Sequence, residues 1–334
     1  MKIQTGNSRR FPRKEVGSME KLEQSPKAAP PIRLGKRKSD TKKDYVLLLF
    51  LLPGIVFLIF FRYAPMYGIV TAFQDYNIFK GIAHSPWVGL KHFRVLFASS
   101  DFKRILVNTI RISAGKLLFT FPLSIILAIM INEITHWLCK KVFQTVLYLP
   151  HFLSWVIVAG LMQTALSPSG GVVNQIITAL GGKPISFFMS NSWFPFVVIG
   201  SDAWKEVGYQ AIVFIAAITG ISPDLYEASA LDGAGKLKQI IHITIPGIMP
   251  TIILMFILQL GSILNANTEQ ILLMYNPTVY ETGDVLGTYV YRNGVAAMKY
   301  SYATAVSLFE SVVGFCLVML GNFFSRRFSG RGAW

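Results

Sequence analysis

Long apolar segments separated by short polar ones dominate this chain. A bilayer core about 30 Å thick is crossed by about 20 mostly apolar helical residues, because a helix satisfies its backbone hydrogen bonds internally. Six segments meet this requirement. We predict transmembrane helices at Tyr45–Phe61, Ile105–Ile131, Val142–Leu166, Phe194–Ile221, Pro246–Leu264 and Tyr302–Phe324. The predicted fold class is therefore all-α, a polytopic membrane protein with six spans.

Composition supports the same class. Of the 334 residues, 52% are hydrophobic and only 15% are charged. A soluble globule of this length carries more charge and less apolar surface. The chain therefore needs lipid to cover its apolar faces.

The distribution of Lys and Arg favours an orientation with both termini in the cytoplasm. In that orientation the inner segments carry 20 of the 32 basic residues, as the positive-inside rule requires. The segment from Arg62 to Arg104 would lie outside, and its six basic residues oppose the assignment. We follow the long basic tail beside the first span and predict a multi-pass protein with cytoplasmic termini.

The first 44 residues carry 13 basic and 5 acidic residues among many Pro and Ser. Such a segment buries too little apolar surface to fold alone, so we expect a disordered cytoplasmic tail attracted to anionic lipid. Its charge lacks the interleaved aromatics of nucleic-acid binding, and no signal-peptide core precedes the first span. The predicted domains are this tail at 1–44, a transmembrane domain at 45–325 and a cytoplasmic tail at 326–334.

The residues give little support to bound cofactors. Cys139 and Cys316 are predicted to lie in the cytoplasm and in the last span, so no disulfide is expected, and the His residues are scattered. The run Gly233–Lys236 looks like the end of a phosphate-binding loop, but Ala230 and Leu237 replace its Gly and Ser or Thr. We predict no catalytic residue and no metal or cofactor site. If ATP drives this protein, another subunit binds it.

The polar segment at residues 222–246 separates the fourth and fifth spans. Ser222–Asp224 has the form of a helix start, and Leu225, Ala228 and Leu231 recur at a spacing of three. We predict a short helix, a turn at Gly233 and a second helix leading into the fifth span. Its apolar face could occupy a groove on a partner protein; the alternative is a solvated amphipathic loop.

The same segment resembles the signature of permease subunits of binding-protein-dependent ABC importers: E-A-A, three residues, G, nine residues, I-x-L-P. The matching residues are Glu227, Ala228, Gly233, Ile243 and Pro246, with Ser229 and Ile245 as mild departures. The resemblance implies a type I importer fold in which this segment is a cytoplasmic coupling helix docked on an ATPase subunit. The implied coupling residues are Glu227, Ala228, Ser229, Asp232, Gly233 and Ala234.

The resemblance covers residues 45–325 and is most marked toward the subgroup that imports oligosaccharides, including alginate. The residues that carry it are Leu52–Gly54, Pro65–Ile69, Ala72–Phe73, Trp87–Leu90, Phe93 and Asn108–Thr109. It implies a bacterial inner-membrane complex with two ATPase subunits that bind ATP and Mg, and a second homologous permease. An extracytoplasmic oligosaccharide-binding protein would dock on outer loops that include Ser167–Trp193 and Asn265–Ser301, and transport would proceed by alternating access.

Several polar residues lie at membrane depth. Asp202, Lys205, Glu206 and Tyr209 recur at spacings that place them on one helix face, which favours a cavity because lipid excludes charge. The alternative is that the span begins after Tyr209 and the stripe is interfacial. Further polar positions at similar depth are Asn108, Arg111, Lys116, Gln163, Gln259, Ser262, Asn265 and Glu310.

These positions lead to a predicted substrate pathway. It comprises Asp202, Trp204, Lys205, Glu206, Tyr209, Gln259, Asn265 and Glu310. Trp204 and Tyr209 would serve as stacking surfaces for sugar rings, although each polar position could instead be a helix-packing contact. The basic residues Arg111, Lys116 and Lys205 could favour a carboxylated sugar, or the nearby acids could neutralise them.

Two other classes of protein remain as alternatives. A secondary transporter or channel that works alone would be expected to show inverted repeats or paired broken helices, and we find no convincing repeat. A membrane-bound enzyme would need a clustered nucleophile, base or metal set. The charged stripe is the one candidate cluster, and it lacks a nucleophile.

Overall fold

A computed structural model describes residues 41–329, with side chains described for residues 49–327. Residues 1–40 of the predicted basic tail and residues 330–334 of the predicted C-terminal tail lie outside the described residues. By its contacts the chain forms two compact units, the first ending at Ala64 and the second beginning at Pro65. The described residues are almost entirely helical.

The longer helices have the following bounds: α1 (Thr41–Leu58), α2 (Lys91–Ala98), α3 (Ser100–Glu133), α4 (Trp137–Tyr148), α5 (Trp155–Ala165), α6 (Val172–Ala179), α7 (Phe194–Thr219), α8 (Pro223–Leu231), α9 (Ile245–Gly261), α10 (Thr268–Met274), α11 (Leu286–Val290) and α12 (Tyr300–Ser329). Short helical turns lie between them. The α-helical ones are Ala64–Met66, Gly81–His84, Lys236–Gln239 and Tyr280–Gly283. The 3₁₀ and π turns are Ile59–Tyr63, Tyr67–Phe73, Leu149–Phe152, Phe187–Met189, Ile240–Thr244, Pro277–Val279 and Tyr291–Ala296.

Within residues 41–329, four helical segments are long and apolar enough to cross a membrane. They are Leu49–Phe73, Ser100–Glu133, Lys236–Gly261 and Tyr300–Arg327. Two bent pairs, α4 with α5 and α7 with α8, raise the number to six if each pair counts as one span. The all-α membrane fold is confirmed, and the number of spans agrees with the upper value.

The third predicted span, Val142–Leu166, differs from a single straight helix. The chain bends by 102° between α4 and α5. The bend falls between Phe152 and Trp155, just after a 3₁₀ turn that contains Pro150, which lacks the N–H group that a continuous helix would use. Ser154 then starts α5, because its Oγ accepts a hydrogen bond from the backbone N–H of Ile157 at 3.4 Å.

Two other spans are longer than predicted. The first continues past Phe61 to Phe73, through the π turn Ile59–Tyr63. The fifth begins at Lys236 rather than at Pro246, since the π turn Ile240–Thr244 keeps the backbone helical. In both places the chain absorbs an irregular turn without leaving the helical path.

The centre of the second unit is the packing of α7 against its neighbours. Phe214 and Ile218 of α7 pack with Phe121 of α3 and Ile248 of α9 in one buried cluster. On its other side α7 lies so close to α4 that a Cβ on Gly208 would be 1.9 Å from the backbone oxygen of Leu147. Helix α7 is therefore fixed between α3, α4 and α9.

Candidate functional site

A polar cavity of about 280 Å³ lies between α3, α7 and α9. We call it the central cavity. Its polar lining includes Lys116, Thr120, Asp202, Gln210, Gln259, Ser262 and Asn265. Polar and charged side chains at membrane depth are costly and usually serve a function, so this cluster marks a candidate functional site.

A buried ion pair forms one wall of the central cavity. The Nζ of Lys116 lies 3.1 Å from Oδ1 of Asp202, and Thr120 Oγ1 donates to Oδ2 of Asp202 at 3.4 Å. Lys116 also donates to the backbone oxygen of Ala266 at 3.0 Å and to Oε1 of Gln270. Each charge is thus paired and hydrogen-bonded, which a buried charge requires.

An irregular segment between α9 and α10 also lines the central cavity. Ala266 and Asn267 there have φ values of 53° and 56°, in the left-handed region that non-glycine residues seldom adopt. Non-helical backbone at membrane depth is tolerated where it is buried in protein or lines a cavity. The bond from Lys116 to the carbonyl of Ala266 helps to hold this strained backbone in place.

The predicted charged stripe of α7 separates into two groups. Asp202 faces α3 and the central cavity, whereas Lys205, Glu206 and Tyr209 gather at the break between α4 and α5. The four residues share a helix face, but they lie at different heights and meet different neighbours. The sequence spacing predicted the helix face that these residues share, but not the residues that each of them contacts.

The second group surrounds His151. Its Nδ1 lies 2.8 Å from Oε2 of Glu206, and its ring stacks on Tyr209 with 3.7 Å between ring centroids. Lys205 donates to the backbone oxygens of His151 and of Pro150, the latter at 3.5 Å. The carbonyl of Pro150 also accepts from the backbone N–H of Leu153 at 3.2 Å, so the Lys205 ammonium adds a second donor there.

Of the other predicted pathway residues, Gln259 and Asn265 line the central cavity. Gln259 also donates to Oε1 of Gln210 at 3.2 Å. Trp204 is 45% exposed on the surface of α7, and Glu310 is half-buried on α12 away from the cavity lining.

Three further polar candidates have other surroundings. Asn108 is buried and donates to the backbone oxygens of Glu281 at 2.8 Å and Asp284 at 3.3 Å, so it fastens α3 to the loop before α11. Gln163 donates to the backbone oxygen of Leu273 at 3.4 Å. Arg111 is exposed on α3. None of these three lines the central cavity.

Sequence reasoning missed Gln210, Gln270 and His151. Gln210 could have been found, since it lies eight residues after Asp202, about 80° further around α7 and so at the edge of the same broad polar face. Gln270 is fully buried and joins Lys116 to Ser201, but it was assigned to an outer loop. The environment of His151 depends on the helix break, which the apolar pattern does not reveal.

The segment between the fourth and fifth spans has the predicted form. Helix α8 is followed by a turn in which Gly233 has a φ of 79°, and the chain is helical again from Lys236. Ser222 occupies the N-cap position but makes no side-chain capping bond. Instead, Gln239 donates to Oγ of Ser229 at 3.0 Å and closes the segment on itself.

Helix α8 offers an exposed, partly apolar surface. Leu225 and Leu231 of α8 are 54% and 91% exposed, beside the exposed Glu227 and Ala228, and Leu237 in the following turn Lys236–Gln239 is 70% exposed. This surface lies at the C-terminal end of α3, because Lys236 forms an ion pair at 2.9 Å with Glu133, the last residue of α3.

Among residues 41–329, no group of three or more His, Cys, Asp or Glu could hold a metal ion. Cys139 and Cys316 are free and exposed.

The comparisons with known proteins agree with this arrangement. Residues 120–330 match the family described as binding-protein-dependent transport system inner membrane component. The chain is 43% identical over 288 residues, 86% of this chain and 90% of the relative, to the polygalacturonan/rhamnogalacturonan transport system permease protein YteP of Bacillus subtilis (strain 168).

Two solved structures are also similar. One is a bacterial ABC transporter involved in the import of the acidic polysaccharide alginate, with a TM-score of 0.80 and 44% identity over 87% of this chain and 98% of that chain. The other is a bacterial alginate ABC transporter in complex with an alginate pentasaccharide-bound periplasmic protein, with a TM-score of 0.81 and 43% identity over 88% and 98% of the two chains. The predicted resemblance is confirmed: this chain belongs to the family of inner membrane components of binding-protein-dependent transport systems, and is a permease, a transport subunit and not an enzyme.

Proposed function

We propose that this permease forms one half of the transmembrane pathway of an ATP-driven importer of acidic oligosaccharides. The observation that carries the proposal is the path of α7, which lines the central cavity at Asp202 and leads at its C-terminal end into α8. From Asp202 to Thr219 the helix runs about 25 Å at 1.5 Å per residue. A displacement of α8 by a partner would therefore reach the cavity along α7, across the 71° bend that joins the two helices.

The proposed partners follow from the exposed surface of α8. The importer would contain two ATPase subunits that bind ATP and Mg. One of them would bind this segment through Glu227, Ala228, Ser229, Asp232, Gly233 and Ala234. A second homologous permease would complete the pathway, and an extracytoplasmic oligosaccharide-binding protein would deliver the substrate. The structure of a relative with a periplasmic protein supports the last of these partners. This chain itself would bind no cofactor.

The same proposal includes the orientation and the domains. Both termini would be cytoplasmic, with α8 on the cytoplasmic face. A tail at 1–44 would contact lipid, and a short tail would follow the transmembrane domain of residues 45–325.

The relatives, more than the central cavity, support an acidic substrate. Lys116 is paired with Asp202, and Lys205 is hydrogen-bonded to backbone carbonyls, so neither ammonium is free to bind a carboxylate. The amides of Gln259 and Asn265 suit the hydroxyl groups of any saccharide. Polygalacturonan and alginate, which the relatives transport, are both chains of uronic acids.

Reconstitution tests the proposal. The complete importer would be placed in vesicles with ATP at the ATPase face and supplied with its binding protein and either tetragalacturonate or its neutral methyl ester. We expect uptake that needs both ATP and the binding protein and that is faster for the acid. Uptake that proceeds equally without ATP would instead identify a transporter that works alone.

A further inference from the structure

A second polar cavity, of about 480 Å³, lies at the N-terminal end of α3. We call it the outer cavity. It is formed by the segment that follows the first span, by α11 with its π turn, and by the start of α12. Its volume is in the range of about 300–1,000 Å³ that small-molecule sites occupy.

The outer cavity is separate from the central one. It includes Ser99, whose Oγ caps α3 by accepting from the N–H of Phe102, whereas the central cavity includes Lys116 on the same helix. At 1.5 Å per residue these positions are about 25 Å apart along α3. Helix α8 lies beyond the central cavity at the other end of α3, so the two features are at opposite ends of the second unit.

Four tyrosines give the outer cavity its character. Tyr76 and Tyr300 are in edge contact with 6.2 Å between ring centroids, and the hydroxyls of Tyr289 and Tyr302 are 3.0 Å apart. Sugar rings present C–H faces that pack on aromatic rings and hydroxyls that bond to their polar tips. A tyrosine group of this kind is poorly suited to purely apolar ligands.

Polar groups complete the lining. The ring Nε2 of His92 is 3.0 Å from the backbone oxygen of Gln74. That oxygen can only accept, so Nε2 is the donor in this contact. Lys299 is exposed and forms no ion pair with any residue of the described range, whereas Asp75 is neutralised by Lys91 at 3.0 Å. The lining therefore has one free positive charge.

The wall that carries Tyr289 is held firmly. Arg292 forms two hydrogen bonds to the buried carboxylate of Asp284, at 3.1 and 2.6 Å, and its guanidinium lies 5.7 Å from the Tyr289 ring centroid. Burial alone would lower the pKa of Arg292, but the bonded Asp284 raises it overall, so the cation is permanent. A preorganised wall costs less ordering when a ligand binds.

Irregular backbone surrounds the same cavity. Arg292 lies in the π turn Tyr291–Ala296, and the lining residue Met298 has a φ of 55°. Single π turns and left-handed non-glycine residues occur preferentially at functional sites, where the surrounding structure maintains them. Here they determine where α12 starts, and therefore where Lys299 and Tyr300 lie.

We propose that the outer cavity is a second saccharide site, which binds the end of an acidic oligosaccharide before it reaches the central cavity. Tyr300 stacks on a sugar ring, and Lys299 binds a carboxylate. The inference rests on the proposed function for the class of ligand. Its location and chemistry come from the outer cavity itself.

Direct binding tests it. The complete importer in lipid nanodiscs, without ATP and without the binding protein, would be titrated with radiolabelled tetragalacturonate and with its methyl ester. We expect Tyr300→Ala to weaken binding of both probes about three- to tenfold, and Tyr300→Phe to retain it. Lys299→Ala should weaken binding of the acid alone. Tyr291→Ala and Lys183→Ala, which alter exposed residues outside the cavity lining, are the matched controls.

Two results would overturn the inference. One is wild-type binding in Tyr300→Ala and Lys299→Ala, or no binding to any form. The other is that these variants bind the probes as the wild type does but need a higher concentration of binding protein for half-maximal ATPase stimulation. That result would identify the outer cavity as a contact surface for the binding protein. Failure of the proposed function would be distinct, because ATP-dependent uptake would then be absent in every variant.

Discussion

Replacing Gly208 with Ala tests the packing that fixes α7. The added Cβ would be 1.9 Å from the backbone oxygen of Leu147, where real contacts are almost never under 3.0 Å. Because the obstacle is backbone, α4 would have to move by about 1 Å, and such overpacking costs about 1–3 kcal/mol. Gly200 on the same helix has nothing within 4 Å of its would-be Cβ. Gly200→Ala should therefore gain up to about 1 kcal/mol of helix propensity.

The difference between these two variants is the measurable quantity. Both variants gain the same helix propensity, so we expect Gly208→Ala to be about 1–3 kcal/mol less stable than Gly200→Ala, which corresponds to a thermal midpoint lower by roughly 5 °C. The displaced end of α4 also carries the carbonyls of Pro150 and His151 away from Lys205, so uptake should fall in the first variant only. Midpoints can be read from thermal unfolding of the purified importer. Equal midpoints for the two variants would refute the close packing of α4 on α7.

Four further predictions concern the site. Lys116→Met should cost about 3–5 kcal/mol by leaving the Asp202 carboxylate buried without its partner, and adding Asp202→Leu should restore part of that stability; strictly additive losses in thermal midpoint would contradict the ion pair. Gly233→Val should stop coupled uptake while Gly233→Asn retains more, since the obstacle there is the positive φ and not space, and equal uptake by both would argue against a conformational role. Burial, and after it the neighbouring Tyr280, raises the pKa of Tyr275 to about 12 from an ordinary value near 10. The unfolded chain therefore loses this proton first, so the stabilisation from Tyr275 should be complete below pH 10 and be lost between pH 10 and 12. In alkaline unfolding, Tyr275→Phe should flatten this pH dependence. Exposed Cys139 should react with a membrane-impermeant maleimide in inverted vesicles and be protected in right-side-out ones, and the opposite result would reverse the proposed orientation.

The apolar pattern predicted which segments are helical in the membrane but not where they break. Pro53 and Pro122 lie inside continuous helices, whereas Pro150 lies just before a 102° bend. A proline removes one hydrogen bond in each case, so local sequence does not distinguish them. The bend is maintained by Lys205 and by the close approach at Gly208, which are distant in sequence.

The turn after α8 was predictable because its causes are local. Gly233 adopts the left-handed conformation that its residue type permits, and Pro223 begins the helix where its missing N–H costs nothing. The contacts of the pathway residues were harder to predict. Sequence spacing gives the angular position of a side chain around its helix, whereas tertiary packing decides which residue it contacts. Asp202 and Tyr209 share a face and still meet different helices.

Helix α7 connects the two irregular segments of the second unit. Through Lys205 it donates to the carbonyls of Pro150 and His151 beside the break between α4 and α5. Through Asp202 it orients Lys116, which bonds the strained Ala266 between α9 and α10. Both irregular segments thus depend on charged groups of one helix that leads into α8. A shift of α7 along its axis would strain both segments together, so under the proposed function a movement of α8 would reach both of them.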